Sequence, residues 1–332
     1  MTMQNTRPMK VFLTEPIHAE AQRLLSEHVE LDIGKDAVVS DDLLNRVADV
    51  DVIFSKTDPI AIDEALINAA PNLRLIARHG SGYSNVAMDY ATKKGILVTN
   101  TPGVNAVTMA EYTLGLMFAA ARRFLPAAEA CRHGAPNRMS FLGKELCGKT
   151  FGIVGVGKIG RQVVTRVHAL GMKVLAYHPR PSARKLADLP LDLVGLEQLL
   201  KESDVISLHM PLTEDTRNLI GKSEFALMKR SAILLNLSRG GVVDEEALFN
   251  VLQKEGIFAA ATDVLATEPV EAAEKLLNLE NCLVLPHIAA LTEEAQLGVA
   301  MTAVEEIIRF DEGETLKHVV NPAALQNRNI EK

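Results

Sequence analysis

The stretch Phe151-Gly152-Ile153-Val154-Gly155-Val156-Gly157-Lys158-Ile159-Gly160, running into Arg161 to Leu170, decides the fold. Its apolar start reads as a buried strand, its glycines as a turn, and the residues beyond them as a helix. In that order each glycine has a physical use. Gly155 permits the tight turn, Gly157 lets the backbone around Lys158 and Ile159 approach a pyrophosphate, and Gly160 lets helix and strand pack closely. The helix N-terminus then offers unpaired N–H groups and a partial positive charge to that pyrophosphate. A tight turn with no ligand is the bland alternative; the strand before and the helix after favour dinucleotide binding.

The alternation of short apolar strands and amphipathic helices extends both ways from this turn. Thr150 to Val154, Lys173 to Tyr177, Val205 to Leu208, Ala232 to Asn236, Phe258 to Thr262 and Leu283 to Leu285 read as six strands, enough for a dinucleotide-binding sheet. Upstream, Val11 to Leu13, Val52 to Phe54, Leu75 to Ala77 and Ile96 to Val98 form a second set. Asn105 to Ala130 reads as one long helix able to bridge two domains, and Glu293 to Phe310 as a last helix whose apolar face returns to the first set. A chain of 332 residues exceeds one ordinary core. The expectation is therefore α/β: two Rossmann-like or flavodoxin-like domains with doubly wound parallel sheets and a cleft. A discontinuous substrate domain takes 1–103 and 292–332, and a dinucleotide-binding domain takes 104–291.

Composition narrows the function. The chain is 48% hydrophobic and 23% charged, with no apolar run long enough to cross a bilayer. A net charge of -7 argues against binding a phosphate backbone nonspecifically, so no nucleic-acid partner is expected. Met1 to Lys10 lacks the apolar core of a secretory signal, which points to the cytoplasm. Cys131, Cys147 and Cys282 are far apart with neither metal-ligand nor redox-motif spacing, and read as buried thiols. No metal is expected.

Cofactor choice is read at the end of the second strand after the glycine turn, where a carboxylate normally holds the adenine ribose. Here the strand ends in His178-Pro179-Arg180, with Arg184 and Lys185 close behind. An arginine there suits a 2′-phosphate, so the reading leans to NADP over NAD, against the alternative of a solvated basic loop. Hydride transfer to a keto acid further needs a cation and a proton donor near neutral pH. Arg239, in Asn236-Leu237-Ser238-Arg239-Gly240-Gly241, emerges at a strand end, and its guanidinium can bind two carboxylate oxygens. Glu268 and His287 follow the next two strands; side by side, the carboxylate would raise the imidazole pKa and fix its tautomer. Each alone is more often a loop or structural residue, and the combination carries the reading.

Taken together these residues resemble the D-isomer-specific 2-hydroxyacid dehydrogenase family over nearly the whole chain. The likeness includes Arg78-His79-Gly80-Ser81-Gly82-Tyr83-Ser84-Asn85, Asn100-Thr101-Pro102-Gly103, Glu145 to Thr150, Pro211-Leu212-Thr213, Asn236 to Gly241 with Val243-Asp244-Glu245, Asp263 to Pro269, and Pro286-His287. The resemblance implies that Arg239 binds substrate, His287 is the acid-base and Glu268 its partner. It implies that Gly80, Ser81 and Gly82 hold the substrate carboxylate through backbone N–H groups, and that Asp263 faces the nicotinamide carboxamide. Thr108, His209, Pro211, Thr216, Leu237, Ser238 and Ala289 would line the cofactor site. It also implies a homodimer built from the long helix and the arm after it.

Three departures qualify that likeness. His178 replaces the usual ribose-binding aspartate. Lys56, a candidate substrate-binding residue, is the only basic residue in Phe54-Ser55-Lys56-Thr57, where phosphoglycerate members hold a phosphate, so hydroxypyruvate or glyoxylate is favoured over phosphoglycerate. The arm Arg132 to Leu142 has no tryptophan. Formate dehydrogenases resemble this fold but carry glutamine at the position of Glu268. A dinucleotide-sensing corepressor and a degenerate binding module rank lower, because Arg239, Glu268 and His287 are all retained.

Overall fold

The computed structural model describes residues 7–34, 41–56, 60–134, 137–179 and 186–327. The chain divides into two compact units, Met1–Asn105 with Thr292–Lys332, and Ala106–Leu291.

The first unit holds β1 (Lys10–Leu13), β2 (Glu30–Ile33), β3 (Val52–Ser55), β4 (Leu75–Arg78) and β5 (Leu97–Thr99), all parallel in the order β2-β1-β3-β4-β5. That is the flavodoxin-like order. Side chains alternate across a strand, so one face carries Val11, Leu13, Val52, Phe54, Leu75, Ala77 and Leu97, packed on Ala21 and Leu25 of the helix Ala19–Ser26. Phe12, Ile53, Ile76 and Val98 face the other way, onto Leu66, Ile67 and Ala91. The helix Glu293–Asp311 adds Ala300, Ala303, Val304, Ile307 and Phe310 to the first face, so the end of the chain completes the unit its beginning started. Val304 and Ile307 are fully buried there, each stabilising the unit by about 1.5–3 kcal/mol. The strand β2 escapes the sequence reading because Glu30-Leu31-Asp32-Ile33 alternates charge with apolar groups on an exposed edge.

The second unit holds β6 (Thr150–Val154), β7 (Lys173–Tyr177), β8 (Asp192–Leu193), β9 (Val205–Leu208), β10 (Ile233–Asn236), β11 (Ala259–Thr262) and β12 (Cys282–Val284), parallel in the order β12-β11-β10-β9-β6-β7-β8. The sheet has seven strands where six are expected; β8 is two exposed residues, too short to show a pattern. Val163, Val164 and Val167 of the helix Lys158–Ala169 and Met109, Ala110 and Met117 of the helix Ala106–Ala121 cover one face. Leu199, Leu200, Leu248 and Leu252 cover the other. The strand order reverses between β6 and β9, and in such sheets ligands bind outside the carboxyl ends at that reversal.

Two expectations fail. The single helix Asn105 to Ala130 is broken into Ala106–Ala121 and Phe124–Arg132 by Arg123, which takes a left-handed conformation with φ 54°. Pro126 explains the break: in a continuous helix its ring would clash with the Arg122 carbonyl, whereas the first turn of a new helix tolerates it. Of the three thiols only Cys282 is buried. Cys131 lies on the exposed second helix and Cys147 in the exposed turn before β6.

Candidate active site

The turn after β6 has the shape a pyrophosphate needs. Gly155 adopts φ 99°, and a Cβ there would lie 2.6 Å from the His209 carbonyl oxygen. A Cβ on Gly160 would lie 2.6 Å from the Gly155 carbonyl oxygen, so helix and turn touch through bare backbone. Around Gly157, by contrast, a Cβ would meet nothing within 4 Å, and the helix beginning at Lys158 has no side-chain cap. Open space beside uncapped amides fits a dinucleotide phosphate.

Other cofactor candidates ring this turn at neighbouring strand ends. His178 and Pro179 directly follow β7; Arg180, with Arg184 and Lys185, lies outside the described residues. His209 follows β9, with Nε2 2.9 Å from Ser207 Oγ and a buried Nδ1 that has no hydrogen-bond partner among the described residues. Burial pushes its pKa down to about 4, so the ring is neutral. The Thr216 hydroxyl donates to the Pro211 carbonyl (2.6 Å) and accepts from the Thr213 amide (2.7 Å), shaping the turn that carries Pro211. Leu237 and Ser238 are buried after β10, with Ser238 Oγ donating to Asn236 Oδ1 (2.7 Å). Thr108 is half-buried on the helix Ala106–Ala121.

Arg239, Glu268 and His287, spread over 49 positions of sequence, converge at the ends of three adjacent strands. His287 Nδ1 is 2.7 Å from Glu268 Oε2, while Glu268 Oε1 accepts from the Leu265 amide (3.1 Å). The hydrogen bond to Glu268 raises the His287 pKa above its ordinary value; burial opposes this, the Glu268 charge adds to it, and Arg239 pulls it back. Burial pushes the Glu268 carboxyl up, but His287, the Leu265 amide and Arg239 together hold it below its ordinary value. The Arg239 charge thus reaches both partners, and its Nη1 is steadied by the Ser238 carbonyl (2.8 Å). His287 itself sits at φ 55°, a left-handed backbone uncommon outside glycine.

Asp263 has a task the sequence did not disclose. Buried at the end of β11, it accepts from the Ile288 (3.0 Å) and Ala289 (2.8 Å) amides, fixing the turn that directly follows His287. It also accepts from the Tyr112 hydroxyl at 3.0 Å. Tyr112 has no motif to mark it; the available signal is its place one helical turn after Thr108.

In the first unit the loop after β4 is pinned through its carbonyls. Arg78 Nε donates to the Gly82 carbonyl (3.1 Å), Asn100 to the Ser81 carbonyl (2.8 Å) and the Thr101 amide to the Gly80 carbonyl (3.0 Å). The Gly80 amide is bonded to Thr101 Oγ1, whereas the Ser81 and Gly82 amides make no hydrogen bond among the described residues. Lys56 donates its ammonium to the Pro16 carbonyl (2.7 Å). Among the described residues no group of His, Cys, Asp and Glu is placed to hold a metal ion, and no helix is long and apolar enough to cross a membrane.

These features define the second unit as a nicotinamide-dinucleotide-binding sheet with an arginine and an imidazole-carboxylate pair at its strand ends. Residues 114–289 match the family described as "D-isomer specific 2-hydroxyacid dehydrogenase, NAD binding domain". The chain is 41% identical to a hydroxypyruvate reductase of Thermotoga maritima, with 90% of this chain and 97% of that one aligned. It is 37% identical to a D-3-phosphoglycerate dehydrogenase of Methanocaldococcus jannaschii, with 98% of this chain but only 62% of that protein aligned. Among solved structures, an NADPH-dependent glyoxylate/hydroxypyruvate reductase of Sinorhizobium meliloti, in complex with NADP and malonate, superposes with a TM-score of 0.83 at 25% identity, over 96% of this chain and 98% of that one. The chain belongs to the D-isomer-specific 2-hydroxyacid dehydrogenase family. It is an oxidoreductase that moves a hydride between a nicotinamide dinucleotide and a 2-keto or 2-hydroxy acid.

Proposed function

We propose that the protein reduces a small 2-keto acid of the glyoxylate or hydroxypyruvate kind to the D-hydroxy acid, with NADP preferred over NAD, as a cytoplasmic homodimer. The observation that carries the chemistry is the 2.7 Å contact between His287 and Glu268. With Nδ1 turned to Glu268, the acidic proton of the imidazolium sits on Nε2, where it can pass to the substrate carbonyl oxygen. Glu268 stays ionised and holds the ring in that orientation. Arg239 binds the substrate carboxylate and polarises its carbonyl. When bound, the dinucleotide supplies the hydride; Gly155, Gly157, Lys158, Ile159 and Gly160 would hold its phosphates, and Asp263, held in place by its own hydrogen bonds, would offer the remaining lone pair of Oδ2 to its carboxamide.

The first unit, Met1–Asn105 with Thr292–Lys332, serves as the substrate domain in this reading. The Ser81 and Gly82 amides suit a carboxylate because their loop is fixed from its carbonyl side. Lys56 is bound to the Pro16 carbonyl, which supports a substrate without a phosphate. The lean to NADP follows from the missing carboxylate after β7, and the comparable reductase from Sinorhizobium meliloti is NADPH-dependent. The dimer follows from an apolar surface: the helix Phe124–Arg132 buries no residue, and Phe124, Leu125, Met139 and Leu142 are 51–69% exposed. Three unpaired thiols suit a reducing compartment.

Oxidation of NADPH and NADH, followed in parallel with glyoxylate, hydroxypyruvate, pyruvate and phosphohydroxypyruvate, tests this reading. Fastest turnover on glyoxylate or hydroxypyruvate with NADPH is expected. Fastest turnover on phosphohydroxypyruvate would overturn the substrate choice, preference for NADH the cofactor choice, and tight cofactor binding without turnover would favour a sensor.

A further inference from the structure

We infer that Glu245 is a positioning residue for the reaction: through the Ala266 amide, its carboxylate fixes the loop that aims Glu268 at His287. The inference rests on the roles of Glu268 and His287 proposed above. Glu245 is the first residue of the helix Glu245–Gln253, which Asp244 caps by accepting from the Ala247 amide (3.0 Å). From there Glu245 Oε1 accepts from the Ala266 N–H at 2.6 Å. Ala266 lies between two parts of the dyad, since the preceding Leu265 amide donates to Glu268 Oε1 and Glu268 comes two residues later.

A second contact clamps the same peptide. A Cβ on Gly240 would overlap the Leu265 carbonyl and the Ala266 nitrogen, so the Leu265–Ala266 peptide rests directly on the residue after Arg239. The segment from Gly240 to Glu245 is itself stiff. Asn218 donates to the Gly241 carbonyl (2.8 Å) and Asp244 to the Ile220 carbonyl (2.9 Å), with Val242 and Val243 buried between. One rigid segment therefore presents the substrate-binding arginine at one end and grips the Glu268 loop at two points further along. Such a link sets the spacing of Arg239 from the imidazole-carboxylate pair, and misplacement at that level is costly in rate.

Glu245 works against its surroundings. Burial raises its pKa, Glu274, Asp244 and Glu268 add repulsion, and only the Ala266 amide opposes them. Glu246, Glu274 and Lys275 line the same hollow as Glu245. The dyad in turn faces Arg239 and Asp263. A glutamate kept only for its place in the first turn of a helix would act on stability and not on the dyad.

Glu245→Ala and Glu245→Gln separate these roles, with His287→Ala run beside them. Glu245→Ala should lower kcat for keto-acid reduction by about tenfold. KM for the dinucleotide should stay unchanged, and the basic limb of the pH–rate profile should move to lower pH as Glu268 loosens from His287. Glu245→Gln keeps an oxygen for the Ala266 N–H and should recover most of the rate and restore the limb. Wild-type kcat and limb in Glu245→Ala, or a Glu245→Gln variant as impaired as Glu245→Ala, would overturn the inference. If His287→Ala still turns over, the reading beneath it falls and the inference with it. If His287→Ala is dead while Glu245→Ala is normal, positioning by Glu245 alone is refuted.

Discussion

Replacing Glu268 with glutamine probes the dyad with almost no change of shape. Its two oxygens serve two donors, Oε1 the Leu265 amide and Oε2 the His287 Nδ1–H. Glutamine has only one acceptor oxygen, so its NH2 must face a donor unless His287 gives up its Nδ1 proton. The imidazolium is therefore destabilised. A charge-assisted hydrogen bond contributes about 1.5–3 kcal/mol. The His287 and Glu268 side chains are 41% and 34% exposed, so solvent screening reduces this to about 1–2 kcal/mol. At about 1.4 kcal/mol per factor of ten, kcat for reduction should fall roughly 5- to 30-fold. The sign of the pH effect is also fixed. Glu268 raises the His287 pKa, so its loss lowers it, and the basic limb of the reduction profile moves to lower pH. The deficit should narrow in acid, where the imidazolium forms in both proteins. Steady-state NADPH oxidation with glyoxylate across the pH range measures both effects. A rate within twofold of wild type and an unmoved basic limb would refute the assignment of Glu268 as the partner of His287.

Two further outcomes concern stability. Ile307, fully buried in the first unit, should cost about 2–5 kcal/mol when cut to alanine, seen as loss of that unit's thermal transition at lower temperature; an unchanged transition would mean that the last helix does not hold the unit together. His209 and His79 are kept neutral, burial pushing each pKa to about 4, with Lys56 and Arg78 adding to the effect at His79. The unfolded chain takes up their protons from pH 6.5 downward and the folded chain does not, so stability present above pH 6.5 is lost as pH falls toward 4. The loss is about 3 kcal/mol per histidine. Thermal melts of His209→Asn should show a shallower acid decline than wild type, and equal slopes would contradict a neutral buried imidazole.

Much of the candidate site's placement at strand ends was legible because its signals are local. Gly155, Gly157 and Gly160 announce their turn through their spacing between a recognisable strand and helix, and Arg239, Glu268 and His287 each follow a strand that is apolar enough to recognise. What could not be read depends on contacts across sequence or on the absence of a pattern. Tyr112 meets Asp263 across 151 positions, and neither residue type nor spacing predicts that pairing. The strands β2 and β8 lie at sheet edges, where solvent removes the apolar signal that marks a strand. The break at Arg123 was written in Pro126, but an alanine-rich helix pattern on both sides masked it. The exposure of Cys131 and Cys147 has a related cause: cysteine is usually buried, and here exposure is set by the unburied helix and the turn that carry them.

The loops at the candidate site's strand ends are held through backbone amides more than by one another's side chains. Asp263 takes the two amides after His287, Glu268 takes that of Leu265, and Glu245 takes that of Ala266. Carboxylates in these roles are acceptors only, so each turns a flexible loop into a fixed one without competing for the Nε2 proton of His287. The arrangement accounts for acidic residues crowding a site whose substrate is itself an anion: apart from Glu268, their oxygens face peptide N–H groups or the Tyr112 hydroxyl, so that in the proposed mechanism Arg239 and the imidazolium are the positive charges offered to the substrate. Removing Asp263 or Glu245 should therefore loosen geometry before it alters the charge facing the imidazolium, whereas removing Glu268 does both, and in each case the damage should show first in kcat and in the basic limb of the pH profile.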